Sequence, residues 1–149
     1  MIILKDILYK VAIEAVMGST DMAIRKIDFD SRKIGAKDAF IAIRGTLSDG
    51  HDFIDKAIHL GAITIVCEVF PENIASGVTY IKVKDTNKAL AFMAANYYGN
   101  PSQNLKLIGI TGTNGKTTVA SLLYQLFKKA GFKVGLLSTV KILVDEKEY

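Results

Sequence analysis

The sequence predicts an α/β fold, and three observations predict it. Short apolar runs of strand length alternate with segments whose apolar residues recur at helical spacing. A polar break, Gly99-Asn-Pro-Ser-Gln-Asn104, separates two such units, residues 1–102 and 103–149. The second unit opens with an apolar run, a glycine-rich turn and a helical pattern, in that order.

The elements follow along the chain. Residues 3–9 read as a short apolar helix, followed by a loop around Gly18–Asp21. Alternation through Ile24, Ile27 and Phe29 predicts a strand, and the apolar run 39–43 predicts another, closed by Arg44-Gly45. From Asp52 the period changes: Phe53, Ile54, Ala57 and Ile58 define an amphipathic helix of about ten residues, which Gly61 ends. Runs 63–67 and 78–83 predict strands, with Pro71 in the loop between them. Asp85 is a good N-cap for a helix through Ala89, Leu90, Phe92, Met93 and Tyr97, stopped by Gly99-Asn-Pro101. Beyond the break, residues 105–110 predict a buried strand, 116–130 a helix ended by Gly131, and 133–139 a second strand. Crossovers of this kind are almost always right-handed, so the two strands are expected to be parallel. Val144-Asp145 reads as an exposed strand or hairpin end rather than a magnesium-ligating aspartate. So few strands would leave sheet faces and an edge open, so the chain is expected to be cut after the first crossover of a larger domain.

Half of the 149 residues are hydrophobic and 23% are charged, as in a folded globular protein. No apolar run approaches the roughly 20 residues that cross a bilayer, and the start lacks the pattern of a secretory leader. A cytoplasmic protein without membrane insertion is the expectation. The net charge of +4 comes from scattered basic residues, with no stripe interleaved with aromatics, which argues against nucleic acid and suits small anions. The single cysteine, Cys67, lies in an apolar run and reads as a buried thiol.

The segment Gly109-Ile-Thr-Gly112-Thr-Asn-Gly115-Lys116-Thr-Thr118 carries the chemistry. Glycines at 112 and 115 let the backbone turn tightly, so that its amides and the positive end of the next helix cradle phosphate oxygens. The ATP-binding candidates are Gly112, Thr113, Asn114, Gly115, Lys116, Thr117 and Thr118. Lys116 is placed to reach the β- and γ-phosphates and is the catalytic candidate; Thr117 is placed to ligate Mg²⁺. The general pattern wants glycine at 110, which is Ile110; Gly109 lies one residue early.

This variant loop resembles that of the Mur ligase family, the ATP-dependent amide ligases of peptidoglycan assembly. Two upstream segments strengthen the resemblance: Asp28-Phe-Asp-Ser-Arg32 with Asp38-Ala-Phe-Ile-Ala-Ile-Arg-Gly45, and Asp49-Gly-His-Asp-Phe-Ile54 leading to Gly61-Ala62. Their order is similar to the member that adds the third peptide residue. The resemblance implies a small N-terminal α/β uridine-nucleotide domain followed by the first βαβ unit of a P-loop ATPase domain. It implies ATP and Mg²⁺ as cofactors, and as partners UDP-N-acetylmuramoyl-L-alanyl-D-glutamate and an amino acid, meso-diaminopimelate or L-lysine. Phe29, Ser31, Thr46, Leu47 and Ser48 are then the substrate-contacting candidates. Ser31 could instead cap a turn, and Asp30–Arg32 could be a local ion pair. His51 reads as a packing residue between loop and helix. Without the rest of such a ligase, the chain alone is expected to be inactive. The related ligase adding the terminal dipeptide, a non-catalytic nucleotide module and an unrelated P-loop enzyme stay open, although Thr113-Asn114 leans toward the third-residue enzyme.

Overall fold

In the computed structural model, which describes every residue except Leu47, the chain divides into two units, Met1–Leu105 and Lys106–Tyr149. The first unit begins with β1 (Ile2–Ile3), α1 (Leu4–Ile7) and β2 (Ile13–Met17). It continues with β3 (Ala23–Ile24), β4 (Ile27–Asp28), β5 (Asp38–Ile41) and α2 (Ile54–His59). It closes with β6 (Ala62–Cys67), β7 (Thr79–Val83) and α3 (Thr86–Tyr97). Strands β4, β5, β6 and β7 are mutually parallel, and β2 adds antiparallel to β7, giving the order β2-β7-β6-β5-β4.

Both faces of this sheet are covered, which is why its strands read as apolar runs rather than as clean alternations. Ala39, Ile41, Val66, Ile81 and Val83 pack on one face with Leu4 and Ile7 of α1 and Ala89 and Met93 of α3. Phe40, Ile65, Cys67 and Tyr80 pack on the other with Ile54 and Ala57 of α2. Successive side chains of β5 therefore enter opposite cores, as the strand period of two requires. Asp85 caps α3 by accepting from Lys88 N at 3.0 Å, as its position predicts.

Three differences from the sequence expectations have physical causes. The strand expected across 24–29 is broken in two: Ile24 pairs with Ile2 in a separate ribbon, and Ile27 pairs with Ala39 in the main sheet. The chain crosses between them at Arg25, whose guanidinium meets the buried Asp38 carboxylate at 2.7 Å. Strand β2 gives no sequence signal because it is a mostly exposed edge, held by pairing with β7 rather than by a buried face. The helix expected from Asp52 starts as a 3-10 turn, Gly50–Phe53, capped by Asp49, and becomes α-helical only at Ile54.

The second unit contains α4 (Lys116–Lys129), β8 (Gly135–Leu137), β9 (Ile142–Val144) and β10 (Lys147–Glu148). The three strands form an antiparallel meander in the order β10-β9-β8, turning at Asp145. The helix, from Lys116, is where the sequence places it. The strand expected at 105–110 does not form: the segment has no strand partner among the described residues, and Leu107 is 77% exposed. An apolar run becomes a strand only by pairing its backbone, and β8 pairs with β9 instead. The expected parallel pair is therefore absent among the described residues.

Candidate functional site

Each unit carries one candidate site. In the second unit the chain from Gly109 leads through two glycines of positive φ, Gly112 at +147° and Gly115 at +76°. Gly115 is left-handed and is the N-cap of α4, a conformation that glycine adopts without steric penalty. Val119 N donates to Gly115 O at 2.9 Å and closes the first turn. The preceding amides, on Lys116, Thr117 and Thr118, have no intrahelical acceptor, so the helix end presents donors and positive dipole to an anion. Lys116 Nζ lies over the loop, donating to Gly112 O at 2.5 Å and Thr113 O at 3.3 Å. Thr113, Asn114 and Thr118 are exposed, and Thr117 is half-buried.

Behind this loop the meander is fastened to the helix. Tyr124 donates to Asp145 O, and Lys128 pairs with Glu146 at 3.1 Å, which raises the lysine pKa. Asp145 occupies the hairpin corner at φ +57°, consistent with a strand end. Among the described residues, no group of three or more His, Cys, Asp or Glu could hold a metal ion.

In the first unit, neighbouring parallel strands β4 and β5 release their loops at the same edge, the carboxyl end where ligands bind open α/β sheets. After β4, Phe29 is 60% exposed and Ser31 only 8% exposed. Asp30 caps the 3-10 turn Ser31–Lys33 through Arg32 N and grips the Arg32 guanidinium at 2.9 Å. That guanidinium hydrogen bond, with the Arg32 N–H, holds the Asp30 carboxyl down at about 2. Ser31 thus lies inside the turn, while Asp30 does the capping. Asp28 is pushed up by burial, but bonds from Asp30 N and Lys26 outweigh this and leave it below the usual carboxylate range. Lys26 also donates to Lys33 O at 2.8 Å, so it staples the turn to the strand end.

After β5, Thr46 and Ser48 are exposed, and Leu47 lies outside the described residues. Gly45 N donates to Ser48 O at 2.9 Å, and Gly50 N donates to Ile43 O at 2.8 Å. His51 packs between this loop and β6, with its two ring nitrogens 2.6 Å from Asp49 Oδ1 and 2.9 Å from Glu68 N. Lys26, Arg44 and Glu68 were not singled out from sequence. Lys26 acts within its own strand and turn, on Asp28 and Lys33, whereas Glu68 meets Arg44 and His51 only because β5 and β6 are parallel neighbours.

The description "Mur ligase family, catalytic domain" matches residues 23–98, half of the chain, and "Mur ligase middle domain" matches residues 110–148. The chain belongs to the Mur ligase family. Relatives include the UDP-N-acetylmuramoyl-L-alanyl-D-glutamate–2,6-diaminopimelate ligases of Cytophaga hutchinsonii and Clostridium acetobutylicum, 50% and 46% identical over 97% of this chain. The chain spans 30% of the length of these curated Mur ligases. Among solved structures, the Thermotoga maritima MurF ligase in complex with ADP aligns over 70% of this chain and 23% of its own. Its TM-score is 0.52 and its identity 34%. A structure of a UDP-N-acetylmuramoyl-L-alanyl-D-glutamate–2,6-diaminopimelate ligase aligns over 99% of this chain and 29% of its own, with TM-score 0.70. At 20% identity it shows likeness of fold alone. No helix among the described residues of this Mur ligase chain is long and apolar enough to cross a membrane.

Proposed function

We propose that this chain is the amino-terminal part of an ATP-dependent ligase joining 2,6-diaminopimelate to UDP-N-acetylmuramoyl-L-alanyl-D-glutamate. The observation that carries the reading is similarity to ligases of that name through both motif-bearing units, 50% identity over 97% of the chain. In this reading residues 1–102 bind the uridine-nucleotide substrate and residues 103–149 begin the ATP-binding domain. Phe29, Ser31, Thr46, Leu47 and Ser48 contact the UDP-muramoyl substrate.

Gly112, Thr113, Asn114, Gly115, Thr117 and Thr118 line the ATP phosphates, and Lys116 neutralises charge on the transferred phosphoryl group. The D-glutamate carboxylate oxygen attacks the γ-phosphorus and ADP leaves, giving an acyl phosphate. The amine of diaminopimelate then attacks the acyl carbon, and the tetrahedral intermediate expels phosphate as the amine loses its proton. Positioning and charge neutralisation dominate such phosphoryl transfer, and the cradle of amides with Lys116 supplies both. The donor set suits Mg²⁺, which binds largely through substrate phosphates and water; Thr117 would hold it by its hydroxyl, and it would shield phosphate charge.

Isothermal titration with UDP-N-acetylmuramoyl-L-alanyl-D-glutamate tests the substrate site. Saturable binding that weakens at least about tenfold in Ser31→Ala is the expected result. Absence of binding by the folded chain would overturn the assignment of the site to this unit.

A further inference from the structure

The loop after β5 is tied at both ends by one connected set of side chains. Arg44 and Asp49 form an antiparallel bridge across its base. Asp49 Oδ1 accepts from His51 N at 2.9 Å and meets His51 Nδ1 at 2.6 Å, while Asp49 Oδ2 stands 3.2 Å from Arg44 Nε. On the far side of the ring, His51 Nε2 accepts from Glu68 N at 2.9 Å. Glu68 Oε2 stands 3.6 Å from Arg44 Nε, and Glu68 Oε1 accepts from both Thr86 N and Thr86 Oγ1. The network therefore reaches from the loop base to the end of β6 and the first turn of α3.

The contact with Glu68 N decides the state of the ring. A nitrogen that accepts from an amide carries a lone pair, so Nδ1 bears the proton and donates to Asp49. Few side chains offer a donor and an acceptor on a rigid frame, and His51 is also mostly buried, with 14% of its side chain exposed. Removing the ring would leave the Glu68 amide without its acceptor and Asp49 held only by the His51 backbone N–H and by Arg44.

We propose that His51, as the neutral Nδ1–H tautomer, is a positioning residue for the uridine-nucleotide site, setting the loop through Asp49 and Arg44. The inference rests on the substrate reading of Thr46 and Ser48 given above. His51 touches no substrate in it; it fixes the backbone that does.

The test compares the chain with His51→Ala, His51→Gln and Arg44→Ala. Titration with UDP-N-acetylmuramoyl-L-alanyl-D-glutamate is run below every melting transition, and amide exchange is followed at Gly45 and Gly50. His51→Ala is expected to bind about tenfold more weakly with faster exchange at both amides. Arg44→Ala is expected to move both in the same direction. His51→Gln, whose amide again supplies a donor and an acceptor, is expected to recover most of the affinity. Affinity within about twofold of the parent in folded His51→Ala overturns the proposal, as does unchanged exchange. If the parent itself does not bind, the substrate reading fails, and with it the proposal's role in binding; exchange then still reports whether the ring fixes the loop. If His51→Ala does not fold, Arg44→Ala decides by the same two readouts.

Discussion

Replacing Gly50 by alanine tests the geometry of the loop base. A Cβ built there falls 2.6 Å from Ile43 N and 2.6 Å from Ile43 O, both backbone atoms. Ordinary contact begins at 3.4 Å, so the two strands of the loop base must part by about 0.8 Å, the difference of those distances. The Gly50 N to Ile43 O bond, 2.8 Å long, then stretches past hydrogen-bonding distance. Overpacking of this kind costs about 1–3 kcal/mol, and the lost bond adds about 1 kcal/mol. For a unit of this size each kcal/mol lowers the melting temperature by about 4–8 °C, so the combined loss of about 2–4 kcal/mol should lower it by roughly 8–32 °C. Thermal melts followed by circular dichroism read the effect, with Gly109→Ala as the control, because nothing lies within 4 Å of a Cβ at that position. A Gly50→Ala chain melting within about 2 °C of the parent would refute the close approach.

Further outcomes follow from the same contacts. Lys116→Ala should weaken ATP binding by roughly 10- to 100-fold in a titration without altering the helix content; unchanged affinity would remove the ammonium from the phosphate site. Burial pushes the Cys67 thiol up to about 11, so iodoacetamide at pH 8 should modify it only after unfolding; labelling at the rate of a free thiol would contradict its burial. The unfolded thiol, near 9.0, releases its proton first, so this group's contribution lowers stability as pH rises from about 9 towards 11. Asp85→Ala should lower the melting temperature by a few degrees through loss of the α3 cap. The Lys88 N–H holds the Asp85 carboxyl below 3.8, so stabilisation by the cap is present above that value and fades as pH falls below it. The gap between Asp85→Ala and the parent should therefore narrow in melts at pH 3.

The parts of the fold legible in the sequence are those with a local physical signature. The central strands are buried on both faces and read as apolar runs; Asp85 and Gly115 mark helix starts through capping chemistry and backbone freedom. The glycine-lysine-threonine loop is legible because its chemistry is contiguous. Local pattern fails where pairing decides the structure. Val16 and Met17 are exposed edge residues organised by pairing with β7, and the apolar run at 105–110 has no partner strand among the described residues. The His51 network was out of reach for the same reason: Glu68 lies 17 residues further along the chain and meets the ring only through the order of the parallel strands.

The pairing of β2 with β7 sets a timetable for folding. Ile13 lies opposite Val83 and Met17 opposite Tyr80, and Asn96 donates to the carbonyls of Ile7 and Tyr9. The first strand to be synthesised in this sheet thus has its neighbour near the end of the unit. On a ribosome the parallel trio β4, β5 and β6 can assemble while β2 waits, and β2 docks only after β7 has emerged. A circular permutant that begins at Lys26 and carries residues 1–25 after α3 would bring synthesis and docking into the same order. It should refold faster than the parent while reaching the same sheet.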